Sequence, residues 1–191
     1  MDRLVRHTLK PYFIVALVSV IAIALQFQDP QSYAIWSRQY ILDGQWWRII
    51  TGHFTHTNVY HMLMNLAAFW VMTFVFKPQS GSLSILIILT SASIGLLNFF
   101  TLVQEYAGLS GVLHSVFAYY ALKEALSGYR SSWLLVIGIV VKVVWEQAYG
   151  ASESTTQLIE ATVAVDAHMF GVIVGLLFAL CGYKKRRLKV E

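Results

Sequence analysis

Long apolar segments separated by short polar ones make up most of this chain. Six of these segments are long enough to cross a bilayer, and they cover residues 11–27, 58–76, 82–103, 109–127, 131–149 and 163–183. A membrane-spanning helix needs about 20 predominantly apolar residues, with a range of about 17–25. The pattern therefore predicts an all-α membrane protein with six transmembrane helices in a single domain, residues 1–191.

The first apolar segment is short and follows a basic stretch, as a signal peptide does. A signal peptide ends at a cleavage site made of small residues. Here Gln28, Asp29 and Pro30 follow Phe27 instead. We therefore interpret 11–27 as a retained helix.

The composition is typical of a membrane protein, and the position of the basic residues explains the net positive charge. Hydrophobic residues make up 57% of the chain and charged residues only 13%, whereas soluble domains average about 25% charged. The net charge of +4 is concentrated at the C-terminus. Five of the 14 basic residues are Lys184, Lys185, Arg186, Arg187 and Lys189. A basic cluster after an apolar span indicates a cytoplasmic anchor on anionic lipid rather than nucleic-acid binding.

The remaining basic residues predict the orientation. With the N-terminus inside, the inner segments carry most of them: Arg3, Arg6, Lys10, Lys77, Lys123 and Arg130. The outer loops carry only Arg38 and Arg48. By the positive-inside rule, both termini are predicted in the cytoplasm of a bacterial cell, with the protein in the inner membrane. The single cysteine, Cys181, excludes an intrachain disulfide.

The loop at 28–57 is rich in aromatic residues, namely Tyr33, Trp36, Tyr40, Trp46 and Trp47. Amphipathic aromatic rings favour the headgroup level of a bilayer. We expect this loop to lie partly in the outer leaflet. An ordinary aromatic belt is the alternative.

Polar residues inside apolar spans are costly, so each is expected to have a partner or a function. Those near the predicted outer ends are His56, His61, Asn65, Ser110, His114, Lys142, Glu146, Asp166 and His168. Their shared depth predicts one water-accessible site toward the periplasm.

Ser110 stands in Gly108-Leu109-Ser110-Gly111 at a predicted helix start. The free N–H groups and the dipole of a helix N-terminus favour negative charge. A nucleophile that forms an oxyanion would benefit from both. Taken alone, the motif could equally be a seam of small residues for helix packing.

His168 precedes Gly171 and Gly175, whose spacing predicts close helix packing. Lying one turn before Gly171, His168 should point into the same contact. If the neighbouring helix is the fourth span, His168 would face Ser110 and could act as its general base. A structural histidine bonded to the backbone is the alternative.

His61 and Asn65 lie four residues apart and share a helix face, where both could donate hydrogen bonds to an oxyanion. His56 adds a third polar group just before the span. A zinc site at His53, His56 and His61 is the alternative, but the spacing matches no common zinc motif and no carboxylate accompanies it. We therefore expect no metal and no cofactor.

Together these segments resemble the rhomboid family of intramembrane serine proteases. The matching motifs are Trp47-Arg48, His56-x4-His61-x3-Asn65, Gly108-x-Ser110-Gly111 and Ala167-His168-x2-Gly171-x3-Gly175. The resemblance implies a six-helix rhomboid fold and a Ser110–His168 catalytic dyad with no acidic third member. It also implies an oxyanion hole from the Ser110 backbone, His61 and Asn65. Membrane-anchored proteins would be cleaved in a cavity open to the periplasm.

Asp166 is a tempting third member, but residues two apart on a helix do not face each other. His114 stands where rhomboids usually carry a tyrosine that packs on the catalytic histidine. This departure, the short chain and Lys142-x2-Trp145-Glu146-Gln147 resemble the rhombosortase subfamily. That subfamily is linked to secreted proteins ending in Gly-Gly, one hydrophobic helix and a basic tail.

Lys142 and Glu146 lie four residues apart in the fifth span and are predicted to pair. The pair could be purely structural, or its face could support the active site beside His114 and bind substrate. Two other functions stay open from sequence. One is an inactive rhomboid-like protein that binds transmembrane helices, and the other is a small transporter, although the inverted repeats typical of transporters are not evident. The sequence carries no sign of an oligomeric state.

Overall fold

The structure, a computed structural model, describes the backbone of residues 2–187 and the side chains of residues 10–182. The described helices are α1 (Asp2–Ala24), α2 (Gln28–Ala34), α3 (Arg38–Leu42), α4 (Arg48–Thr51), α5 (Val59–Phe76), α6 (Ser80–Leu97), α7 (Ser110–Leu126), α8 (Ser132–Tyr149), α9 (Glu153–Ile159) and α10 (Val165–Arg187). Two short strands, β1 (Trp36–Ser37) and β2 (Glu105–Tyr106), pair antiparallel. The side chains of Arg3, Arg6 and the C-terminal basic cluster lie outside the described residues.

The all-α membrane fold is confirmed. Among the described residues, four helical stretches are long and apolar enough to cross a membrane: Val59–Phe76, Ser80–Phe100, Ser132–Tyr149 and Val165–Gly182. A fifth is counted if Lys10–Ala24 and Gln28–Ala34, which meet at 109°, form one broken span. Each predicted span contains a helix, with α7 the shortest of the long ones at 17 residues. The number of membrane crossings, six, stays a prediction.

Each predicted span differs from the observed helix at one end or both, and the first and third spans were predicted to end later than the helices do. The first helix ends at Ala24 rather than at residue 27, and a turn leads directly into α2. The third predicted span ends in a 3₁₀ turn at Asn98–Phe100 rather than at residue 103. Thr101 caps this end, because its hydroxyl donates to the Asn98 carbonyl at 2.9 Å. In both places apolar residues continue past the helix end, so hydrophobicity alone overestimates the helix.

Helix α7 lies at the centre of the bundle and contacts α10 along a glycine seam. A Cβ atom at Gly171 would collide with the carbonyl oxygen of Gly111, and one at Gly175 would collide with that of Ser115. The spacing of Gly171 and Gly175 predicted close helix packing without naming the partner, and the structure shows that the partner helix is α7. Around this pair, the largest buried apolar cluster joins α1, α5, α6 and α7 through residues that include Val15, Phe69, Leu83, Val112 and Val116.

The segment 28–57 folds as a compact unit rather than as an open loop. Arg48 is only 2% exposed. Its guanidinium donates to the carbonyl oxygens of Ser32 at 2.9 Å and Ile35 at 2.8 Å. The neighbouring Trp47 ring donates to the Tyr33 carbonyl at 3.0 Å. The Trp47-Arg48 motif thus fastens α4 to α2.

The aromatic residues of this segment divide into two groups. Tyr33, Tyr40, Trp46 and Trp47 are exposed, as a headgroup-level location requires. Trp36 is fully buried, so it does not share the headgroup-level location expected of the loop's aromatic residues. Its indole N–H donates to the Gly95 carbonyl at 2.9 Å, and β1 pairs it with Tyr106. Trp36 instead joins the segment to α6 and to the stretch that leads into α7.

Candidate active site

Ser110 is the first residue of α7 and follows a tightly held turn. The Tyr106 hydroxyl donates to the Gly108 carbonyl at 2.5 Å, and the Gly108 N–H donates to the Gly52 carbonyl at 3.2 Å. Gly108 has φ of +131°, a conformation that favours glycine. A Cβ there would lie 2.8 Å from Cε1 of His61. Glycine is therefore required both by the turn and by the histidine ring above it.

His168 approaches Ser110 from α10. The Ser110 Oγ and His168 Nε2 atoms are 2.8 Å apart, within hydrogen-bond distance. The glycine seam brings these helices together, since Gly111 directly follows Ser110 and Gly171 lies one turn after His168. His168 is only 6% exposed. The structure thus brings together the predicted nucleophile and base.

A carboxylate contacts the other edge of the His168 ring, which the dyad expectation did not include. Nδ1 of His168 lies 2.9 Å from Oε2 of Glu146. The second oxygen of Glu146 accepts from Nζ of Lys142 at 2.6 Å, so the predicted pair in α8 is present. Glu146 therefore connects Lys142 to His168. The resemblance implied a dyad without an acidic third member, and the structure places a carboxylate within hydrogen-bond distance of His168.

Asp166 is placed elsewhere. Its Oδ1 atom accepts from the Gln147 side chain at 3.3 Å. This agrees with the helical argument that Asp166 and His168 project in different directions. The acid that contacts His168 is Glu146 of the neighbouring helix α8, and not Asp166.

His114 lies flat on His168. The ring centroids are 4.0 Å apart and the ring planes differ by 14°. Nδ1 of His114 lies 2.7 Å from the Ser110 carbonyl oxygen, so this nitrogen carries the proton and donates it. His114 thus lies one turn after Ser110 on α7, where this hydrogen bond fixes its ring against one face of the His168 ring.

His114, Glu146 and His168 also raise the question of a metal site, because their ligand atoms lie within 4.8 Å of one another. A metal binds in the plane of an imidazole ring along a nitrogen lone pair. The two rings are stacked nearly parallel at 4.0 Å, so their lone pairs do not converge on one point. Both nitrogens of His168 are also engaged, with Ser110 and Glu146. This arrangement fits a hydrogen-bonded cluster and does not fit a bound metal.

His61 faces the same site, and its hydrogen bonds define its tautomer. The Thr57 hydroxyl donates its one proton to the Ile159 carbonyl at 2.7 Å. Nδ1 of His61 lies 3.0 Å from that same hydroxyl oxygen and must therefore be the donor to it. A neutral ring with its proton on Nδ1 has none on Nε2. In this conformation His61 presents a lone pair, rather than a donor, beside Gly108.

Asn65 and His56 are both buried near His61. The Asn65 amide nitrogen has no hydrogen-bond partner among the described residues, so it is a free donor. Both His56 ring nitrogens also lack partners within that part of the chain, and the ring packs edge-on against His61 at 5.1 Å. Burial and the neighbouring His61 lower the pKa of His56 to about 3, so its ring is neutral. His53 instead packs edge-on against Tyr106 at 5.0 Å.

A cavity of about 290 Å³ opens above Ser110. Its walls come from the start of α5, the stretch before α7 and the segment between α9 and α10, through residues that include Thr57, His61, Tyr106, Ser110, Ile159 and Val163. The last of these segments is tied to α5 by the Thr57–Ile159 bond and by the Asn58 amide, which donates to the Leu158 carbonyl at 2.9 Å. A serine and a histidine in such a cavity can perform general-base-assisted nucleophilic attack.

Comparison with known proteins agrees with this fold. Residues 43–185 match the model of the Rhomboid domain. The chain is 25% identical over 157 residues to rhomboid protease GlpG of Haemophilus influenzae, covering 78% of this chain and 76% of that protein. It is 24% identical over 157 residues to the putative rhomboid protease YdcA of Bacillus subtilis, covering 77% and 73%. It is 28% identical over 174 residues to GlpG of Salmonella paratyphi A, covering 84% and 58%.

The fold and site define an integral membrane protein with a serine–histidine pair inside a helix bundle. The chain belongs to the rhomboid family. Sequence reasoning missed one residue of the site, Thr57, and one contact, that of Glu146 with His168. Thr57 gave no signal, because it is an ordinary polar residue in a loop. Glu146 was expected to pair with Lys142 and to support the site beside His114, but its bond to His168 was not predicted.

Proposed function

We propose that this protein is an intramembrane serine endopeptidase in which Ser110 is the nucleophile and His168 the general base. The observation that carries this proposal is the 2.8 Å contact between Ser110 Oγ and His168 Nε2 at the base of a cavity. Membership of the rhomboid family supports the same activity. A catalytically inactive protein that binds transmembrane helices would not need this contact.

The reaction follows from the geometry. Ser110 Oγ attacks the carbonyl carbon of the scissile bond while its proton passes to His168 Nε2. The tetrahedral intermediate collapses, the C–N bond breaks, and His168 returns the proton to the leaving amine. A water molecule then attacks the acyl-enzyme with the same base, which releases the new carboxyl end and restores Ser110.

The developing oxyanion would be stabilised by donors around the start of α7. The Ser110 backbone N–H belongs to the first turn of a helix, where N–H groups lack intrahelical partners. The free amide of Asn65 supplies a second donor. His61 contributes only when Nε2 carries a proton, so with the hydrogen bonds seen in the structure Asn65 is the stronger candidate.

The substrate would be a membrane-anchored protein that reaches the cavity from the bilayer. An intact helix hides its carbonyl groups in its own hydrogen bonds, so the cleaved segment must unwind. Glycine lowers helix propensity by about 1 kcal/mol per residue relative to alanine. With the rhombosortase resemblance, this favours a secreted protein that ends in Gly-Gly, one hydrophobic helix and a basic tail. The inner membrane of a bacterium, with the cavity toward the periplasm, is the corresponding location.

The test uses the full-length protein in liposomes with a Gly-Gly-tailed substrate, whose products are identified by mass spectrometry. Cleavage next to the glycines is expected from the wild type and not from Ser110→Ala or His168→Ala. A fluorophosphonate probe should label the wild type and Ser127→Ala, a control at the far end of α7, but not Ser110→Ala. Cleavage by Ser110→Ala would overturn the catalytic proposal. Undiminished cleavage after both glycines are replaced by leucine would overturn only the substrate.

A further inference from the structure

We propose that Glu146 is a positioning residue for His168 and completes a Ser110–His168–Glu146 triad across α7, α10 and α8. The inference deepens the proposed protease function and rests on it. Three side chains stand in series, with 2.8 Å between Ser110 Oγ and His168 Nε2 and 2.9 Å between His168 Nδ1 and Glu146 Oε2. The two bonds use the opposite edges of one imidazole ring.

The direction of each bond follows from the donor inventory of the groups. An ionised carboxylate can only accept, so His168 must donate through Nδ1 to Glu146. In a neutral ring, Nε2 then carries the lone pair, and the Ser110 hydroxyl donates to it. This is the tautomer that a general base needs. Glu146 therefore selects the reactive form of His168 before substrate arrives.

The same carboxylate stabilises the charge that forms during the reaction. When His168 takes the serine proton, the ring becomes an imidazolium with Glu146 2.9 Å away. The site is largely shielded from water, since the Glu146 side chain is 13% exposed and that of His168 is 7% exposed. Charge interactions are stronger in such surroundings than in bulk water. The benefit is larger in the transition state than in the resting state, as catalysis requires.

Lys142 orients the carboxylate for this task. It lies one turn before Glu146 on α8 and occupies Oε1 at 2.6 Å, which leaves Oε2 for His168. The ion pair also lowers the cost of placing an acid in an apolar span. The Lys142 side chain is itself 46% exposed and has no direct bond to His168. Lys142 thus orients Glu146 through an ion pair, and Glu146 orients His168 through a hydrogen bond.

A purely structural Lys142–Glu146 pair is the competing explanation, and a charge-neutral double variant separates the two. If the pair serves only stability, Glu146→Gln leaves an unpaired lysine, and adding Lys142→Met should restore activity. If Glu146 positions His168, the double variant stays impaired. Asp166→Asn is the matched control, because it also neutralises an acid close in sequence to His168, but one whose partner is Gln147.

The experiment measures kcat and KM for a quenched transmembrane peptide substrate in liposomes, together with the rate of fluorophosphonate labelling of Ser110. Glu146→Gln keeps the side-chain shape, but its amide NH₂ can donate to Nδ1 and so place the ring proton on Nε2. In soluble triads the equivalent change lowers kcat by about 10⁴-fold. We expect a fall of at least about tenfold in kcat and in labelling, a KM within about threefold and partial recovery in Glu146→Asp.

A kcat for Glu146→Gln within tenfold of the wild type would overturn the inference, and so would full recovery in the Lys142→Met/Glu146→Gln variant. Size-exclusion profiles and melting temperatures show that each variant is folded. If Glu146→Gln alone does not fold, the double variant decides the question. Ser110→Ala and His168→Ala are measured in parallel. If Ser110→Ala and His168→Ala remain active, the protease proposal fails. If both are inactive while Glu146→Gln is active, only the triad is wrong.

Discussion

His114 and His168 lie face to face, with ring centroids 4.0 Å apart and ring planes 14° apart. One edge of His168 meets Glu146, the other meets Ser110, and His114 covers a face. The ring is therefore restrained against both tilting and rotation. The support also reaches Ser110, because His114 donates to the carbonyl oxygen of that residue at 2.7 Å.

The first prediction concerns this stacking. His114→Ala should lower kcat by about 3- to 10-fold, since an aromatic pair contributes about 0.5–1.5 kcal/mol beyond simple burial. His114→Tyr keeps a flat ring and should retain more activity. Steady-state kinetics of the two variants in liposomes provide the measurement. Equal activity in His114→Ala and the wild type would show that the ring needs no support on this face.

The second prediction concerns the oxyanion donors. Asn65→Ala should lower kcat by about 10²–10³-fold, the usual cost of losing one such donor, with little change in KM. His61→Ala should also slow turnover, but by less, because in the structure the His61 ring proton is donated to Thr57. A loss confined to substrate affinity in Asn65→Ala would contradict this role.

The third prediction concerns the glycine seam. Gly171→Ala and Gly175→Ala should each lower the melting temperature and abolish most activity, since the added methyl group would collide with a backbone carbonyl of α7. Gly138→Ala, in α8, is the matched control because its Cβ would meet no atom within 4 Å. Replacing a helical glycine by alanine at such an open site stabilises a helix by about 1 kcal/mol. A seam variant as stable as Gly138→Ala would show that α7 and α10 can separate without loss.

The fourth prediction concerns topology. A reporter that is active only in the periplasm should be active when fused after Gln157 and inactive when fused after Lys77 or Gly128. The physical reason is the excess of basic residues in the segments assigned to the cytoplasm. Enzyme activity of the three fusions, normalised to expression, provides the test. Activity after Gly128 would overturn the six-helix arrangement.

Short-range patterns in the sequence predicted much of the site. The proximity of Ser110 and His168 could be predicted because each residue adjoins its own helix-packing glycines, so the motif that brings the helices together also places the side chains. The Lys142–Glu146 pair could be predicted because residues four apart on a helix meet wherever the helix lies. In each case the decisive information is close to the residue in sequence.

The remaining features depend on how separate elements rotate against one another. Glu146 and His168 are 22 residues apart on different helices, and their contact requires α8 to present one particular face to α10. Trp36 was expected at the headgroup level because it is an amphipathic aromatic residue in this loop, but it pairs with Tyr106 in a strand and is buried. The tautomer of His61 depends on Thr57 and on a carbonyl 102 residues away from that threonine. Apolar periodicity carries none of this information.

The two hydrogen bonds of the Ser110–His168–Glu146 series join helices that are packed to different degrees. Ser110 and His168 are carried by backbones in direct contact, whereas only Ser132, Val136 and Val143 are buried among the 18 residues of α8. A lateral displacement of α8 would lengthen the bond to Glu146 and leave the Ser110–His168 distance unchanged. A change in lipid thickness, or a neighbouring protein that presses on α8, would therefore lower the rate of catalysis. It would weaken the base while the nucleophile stayed in place.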